Sequence, residues 1–232
     1  MQEELAKHSK KIFMTMKNSK KLFTEKLKEV FIEIFIIVFS VTLSIWLHSW
    51  SLHSHQQKET KEFLADIKDD LNKDIISVTD KEKQMTETIK QYSFLKDLTE
   101  ERIDSITNKK EGINIGVTYV IRKTNDGSYE GFKSSGKIGY IENKKLKKMI
   151  LEYYQETMPS IVETENFFNL RLGKIEGLIY QDKEKKKKFL DPALKMSFEV
   201  VIQTAQSNRN NYKLISNEAK EIISEIFIEE NK

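Results

Sequence analysis

Residues 29–50 read EVFIEIFIIVFSVTLSIWLHSW, and this stretch decides the architecture. Crossing the hydrocarbon core of a bilayer takes about 20 largely apolar residues. Val30–Trp50 supplies such a run with a single charged residue, Glu33. Ser40, Thr42 and Ser44 are tolerated in it because hydroxyls can bond back to helix carbonyls. Trp46 and Trp50 stand near one end, where amphipathic rings settle in the headgroup layer as interface anchors. A signal peptide would carry a shorter apolar region and a small-residue cleavage site. The sequence after Trp46 reads LHSWSLHSHQQ and offers no such site. A buried core helix is the plainer alternative, but nothing else in the chain is apolar enough to enclose it. The stretch is read as one uncleaved transmembrane helix.

Charge is distributed unevenly around this segment. The chain carries a net +3, yet residues 1–29 hold eight lysines against four acids, and residues 51–232 sum to zero. The sequence pI of about 8.7 therefore reports the N-terminal arm, and no nucleic-acid partner is expected, since such a binder concentrates its cations on the folded domain. Eight lysines precede the span, whereas only Lys58 and Lys61 follow it within sixteen residues. The positive-inside rule then puts the N-terminus in the cytoplasm and residues 51–232 outside, in the periplasm of a Gram-negative cell. Three parts result: a basic arm (1–29), a transmembrane helix (30–50) and an extramembrane domain (51–232). In the arm, Leu22, Phe23, Leu27, Val30 and Phe31 share a helical face suited to the inner membrane surface. A basic tail that only sets topology is the blander account.

At about 100° per residue, Glu33, Ile37, Ser40, Ser44 and His48 fall within about an 80° sector of the span. Ser40 and Ser44 form a small-xxx-small pair, which lets helices approach closely. Glu33 lies only about 5 Å from the start of the run. It either reaches the cytoplasmic headgroups or belongs to a packing face against another copy of the chain or another membrane protein. Intramembrane acids are uncommon without a partner, which favours the packing face.

The chain has no cysteine, and its four histidines all lie at or before position 55. Disulfides, thiol nucleophiles, His-based triads and His-ligated zinc are thereby removed from the domain. No catalytic, cofactor or metal-binding residues are assigned, and no enzyme is expected, although lysines and carboxylates are abundant. His53 and His55 point about 200° apart on a helix, which suits interfacial histidines better than metal ligands.

The remainder reads as all-α. Apolar positions from Phe63 through Ile67, Leu71, Ile75, Val78, Met85, Ile89, Tyr92, Leu95 and Leu98 to Ile106 recur mostly at steps of three, four and seven. They predict one helix over 51–107, stopped by the NKKEG segment at 108–112. Residues 113–128 suit a short helix or an irregular segment better than a lone hairpin, with Asn125-Asp126-Gly127 as a turn signal. Asn143 caps a helix that Pro159 closes, and a further helix runs over 161–188. The KEKKKK run at 183–188 is a solvated end. Residues 193–230 form the last helix, with Ser207–Asn211 as a candidate break, and can pair antiparallel with the 51–107 helix in a bundle or antiparallel coiled coil.

The span opened by Glu33 and closed by Trp50 is followed by FKSSGKIGYIENKKLKKMILEYY (132–154). Together they resemble an uncharacterised family of small single-pass membrane proteins common in Bacteroidetes. The resemblance covers roughly residues 28–230 and rests on Glu33, Trp50, Ser134, Ser135, Gly136, Lys137, Asn143, Tyr153 and Tyr154. The chain departs from the family pattern at Leu47-His48-Ser49 and just after Trp50. No activity comes with the family. Ser134-Ser135-Gly136-Lys137 lacks the spacing of a phosphate-binding P-loop; it reads chiefly as a tight turn in which glycine supplies a conformation other residues resist, with a small anion as the sharper alternative.

These observations support a membrane-anchored helical interaction or scaffold protein, self-associating or bound to another membrane protein. An oligomeric membrane-perturbing effector of bacterial immunity and a membrane-tethered carboxylate enzyme are the alternatives.

Overall fold

The computed structural model describes residues 2–108, 113, 115–121, 125–180 and 188–231, and in the N-terminal arm the side chains of 7, 10, 11 and 26 onward. The arm's other apolar side chains, most of the NKKEG stop and most of the lysine run at 183–188 lie outside the described residues. The chain divides into two compact units, Met1–Gln56 and Gln57–Lys232. Every described residue of the first unit lies in helix α1, which extends over Gln2–Lys96. There are no strands among the described residues.

The second unit is an all-α bundle. Besides the later part of α1 it contains α2 (Glu100–Asn108), α3 (Gly127–Ser134), α4 (Lys144–Glu152), α5 (Met158–Tyr180) and α6 (Pro192–Glu230). In α1 the buried positions Leu64, Ile67, Leu71, Asp74, Val78, Lys81, Met85, Thr88, Tyr92 and Leu95 alternate steps of three and four without a lapse. Helix α6 does the same through Leu194, Phe198, Val201, Ala205, Asn208, Tyr212, Ile215, Ala219, Ile222 and Ile226. Helix α5 follows with Met158, Ile161, Glu165, Phe168, Leu172, Ile175 and Ile179. Such a heptad repeat keeps one seam of each helix facing its partners.

Side-chain pairs give the directions. Lys68 bonds Glu230 at 3.1 Å, Glu82 faces Lys213 at 3.6 Å and Lys96 bonds Glu199 at 3.0 Å. The two series run in opposite order, so α1 and α6 are antiparallel, as the sequence suggests. Helix α6 is antiparallel to α4 and α5 as well: Asn143 meets Glu225 and Glu229, while Thr164 meets Asn208 and Asn211. Helices α1 and α5 are therefore parallel. Parallel neighbours need a long crossover, and the described residues between α1 and α4 retrace α1. Gly116 lies against Gln91, the Thr118 carbonyl accepts from Gln84, Asn125 donates to Asp74, Phe132 stacks on Phe63, and the Tyr140 carbonyl accepts from Gln57. Within the crossover, residues 115–121 form neither helix nor strand. The Asn169 side-chain amide holds Val120 instead, accepting its N–H and donating to its carbonyl, both at 2.9 Å.

Three boundaries differ from the sequence expectation. Helix α1 ends at Lys96 rather than 107, because Thr99 starts a new helix: its carbonyl accepts the Ile103 N–H at 3.0 Å, with Glu100 and Glu101 in the first turn, where acids suit the helix dipole. Pro159 does not close a helix. A π-turn over Tyr153–Thr157 precedes it, in which the Met158 N–H reaches the Tyr153 carbonyl. Two consecutive residues, Tyr153 and Tyr154, are buried there between Ile150 and Met158. One extra residue is thus absorbed, and the wider turn relieves the clash between a helical proline ring and the carbonyl four residues back. Finally, Ser207–Asn211 does not break α6: Asn208 is fully buried, and its amide and that of Asn211 bond Thr164.

Candidate functional site

Two places gather the residues that the sequence singles out. The first is the stretch 30–50 of α1. Its large apolar side chains are 40–70% exposed, from Leu43 to Phe31, and Trp46 and Trp50 stand at 61% and 63%. The helix segment Lys26–Lys96 contains an 18-residue window of mean hydropathy 2.5, none of it buried. Among the described residues this is the one helix long and apolar enough to cross a membrane. The hydroxyls behave as expected: Ser40 donates to the Ile36 carbonyl at 2.7 Å, Thr42 to Val38 at 2.7 Å and Ser44 to Ser40 at 2.8 Å. Their protons are therefore spent inside the helix, and toward a neighbour they offer small volume and acceptor lone pairs. Helical backbone persists from Glu33 to His48, so Glu33, Ile37, Ser40, Ser44 and His48 do lie along one side. Phe35 and Phe39 stack at 6.0 Å on another part of the surface.

The second is the turn after α3. Gly136 has φ +74°, the left-handed conformation that favours glycine. Its N–H bonds the Lys133 carbonyl, and the Ser135 N–H bonds that of Gly131. Both serine hydroxyls donate backward, Ser134 to the Gly131 carbonyl and Ser135 to that of Phe132. Lys137 bonds Glu59 of α1 at 2.7 Å, and that hydrogen bond holds the ammonium above its ordinary pKa. The segment is thus a helix-terminating turn fastened to α1, with both serine hydroxyls and the Lys137 ammonium engaged. An open groove of about 400 Å³ lies beside it, walled by Glu59, Glu62 and Asp66 on one side and by Gly127 and Gly131 on the other.

Asn143 does two jobs. Its Oδ1 accepts the Leu146 N–H at 3.0 Å, the expected cap. Its Nδ2 donates to Glu225 and Glu229 at 3.2 and 2.9 Å, tying the start of α4 to the end of α6. No cluster of three or more potential metal ligands occurs among the described residues.

Sequence reasoning missed the buried polar positions. Lys81 and Glu165, almost wholly enclosed, pair at 3.2 Å, with the Lys81 ammonium 6.0 Å from the centre of the Tyr212 ring. One heptad earlier, Asp74 accepts from Tyr153 and Asn125, each at 2.9 Å. Tyr154 stacks on Tyr129 at 4.5 Å. Its hydroxyl is buried without a hydrogen-bond partner, and burial raises its pKa. A signal existed: the apolar series of α1 steps seven residues across Lys81, and a heptad demands an intermediate position there.

No curated protein and no solved structure matches the chain. A protein-family model does match, over residues 33–206, from the glutamate of the apolar run through most of the bundle. The chain accordingly belongs to the family of unknown function DUF6090.

Proposed function

We propose that the protein is a single-pass, membrane-anchored helical interaction protein of the bacterial cytoplasmic membrane. Its N-terminus lies in the cytoplasm, its bundle lies outside, and copies associate through the side of the span bearing Glu33, Ser40 and Ser44. The observation that carries this reading is the exposure of residues 30–50 on every side of a continuous helix. A surface that apolar is stable against lipid or another apolar helix and unstable against water. Support for a non-catalytic role comes from the sequence, which has no cysteine and no histidine after His55. The lysine imbalance around the span supports the orientation.

The absence of native cysteine makes the test direct. Ser9→Cys and, separately, Ser128→Cys are labelled in intact cells with a membrane-impermeant maleimide, after permeabilising any outer membrane. Labelling at 128 and not at 9 is expected; labelling at neither until lysis would move the bundle into the cytoplasm. Glu33→Ala should lower the crosslinked oligomer fraction, and an unchanged fraction removes self-association through this face.

A further inference from the structure

The heptad repeats of α1, α5 and α6 raise a question of register. One phase of α1, at positions 64, 71, 78, 85 and 92, is Leu, Leu, Val, Met and Tyr, and sliding the helix by seven residues keeps all but one end of that row apolar, where Gln57 or Thr99 would enter. The other phase, 60, 67, 74, 81, 88 and 95, is Thr, Ile, Asp, Lys, Thr and Leu, and there the registers differ. In the observed one Lys81 meets Glu165. A slide one way sets Thr88 against Glu165 and Lys81 against Met158. A slide the other way sets Asp74 against Glu165 and Lys81 against Leu172. Either leaves a buried ammonium and a buried carboxylate without each other.

We propose that the Lys81–Glu165 pair is a register lock, a device that selects one heptad alignment of α1 against α5 and adds little to stability. Burying two charges costs about as much desolvation as their attraction returns, so such a pair discriminates between arrangements better than it holds one together. The pairs bridging α1 and α6 at the surface, Lys68–Glu230, Glu82–Lys213 and Lys96–Glu199, are partly solvated and discriminate weakly.

The test uses the full chain in lipid nanodiscs, with nitroxides on Asp80→Cys and Glu163→Cys, both exposed, and spin-diluted with unlabelled chain so that only distances within one molecule are read. With Lys81 and Glu165 intact, one narrow distance is expected. Lys81→Met with Glu165→Met should fold with an undiminished Tm and show a second distance population, since a seven-residue slide carries α1 about 10 Å along its axis. Lys81→Glu with Glu165→Lys should restore the single distance. A double-methionine variant that keeps one native distance overturns the lock. So does one that fails to fold while the swapped pair folds, which would make the pair a stability element. Neither result depends on whether the span self-associates.

Discussion

Between residues 30 and 50, helix α1 exposes apolar side chains in every direction; between 57 and 96 it buries a heptad seam and turns its outer face to solvent. Both stretches are regular α-helix, so backbone preference does not separate them. What differs is the arrangement of apolar groups around the axis. An all-round apolar surface can be satisfied only by an apolar surrounding, whereas a heptad stripe is satisfied by two partner helices. Polar residues then carry opposite meanings. In the first stretch Ser40 and Ser44 turn their protons back into the helix. In the second, Asp74 and Lys81 reach across to other helices.

The comparison is broken most forcefully by truncating each surface. Leu71→Ala should destabilise the bundle by about 2–5 kcal/mol in thermal or denaturant unfolding, because a fully buried side chain leaves a cavity. Phe35→Ala, on an exposed ring, should leave the bundle's unfolding unchanged. Equal losses would mean that the two stretches do not differ as described. Next in size is a deletion. Removing Glu156 from the π-turn restores ordinary α-helical spacing but forces Pro159 into an ordinary helical turn, at about 3 kcal/mol. The deletion should be tolerated only when combined with Pro159→Ala, as read from Tm. A smaller loss, about 1 kcal/mol, is expected for Asn143→Ala from the cap alone, and more if the bonds to Glu225 and Glu229 matter.

The smallest effect is also the most diagnostic of the seam. The Tyr92 hydroxyl is buried without a hydrogen-bond partner, and burial pushes its pKa up to about 12. A group whose folded pKa is raised contributes stability below its unfolded value, near 10, and loses it as pH rises through the folded one. Tyr92→Phe should therefore be neutral or slightly stabilising at pH 7 and gain on the parent protein between pH 10 and 12. A loss at pH 7 would show that the hydroxyl has a partner.

Much of the bundle was legible because the heptad is written in large apolar residues; Phe63, Leu71, Val78 and Tyr92 suffice to phase α1, and Asn143 announces its cap. What escaped was local competition. Thr99 with two acids behind it outweighs a continuing apolar series, and nothing in the composition near Pro159 reveals that one extra residue is absorbed just before it. The polar run Ser207–Asn211 looked like a break because side-chain amides favour turns, yet here two of them find Thr164. The turn at Gly136 was readable from its glycine. The pairing of Lys137 with Glu59, across 78 residues of sequence, was not.

The crossover that retraces α1 also bears on how the chain comes into being. A ribosome adding 5–20 residues per second needs roughly 7–27 s to pass from the end of α1 to the end of α6. Throughout that interval the seam of α1 has been made and its antiparallel partner has not. The segment between α1 and α4 emerges next, and the contacts its described residues make with α1 need neither long partner. Phe132 on Phe63 and Asn125 on Asp74 are thus contacts that can cover part of the α1 seam before synthesis delivers the helices that complete it.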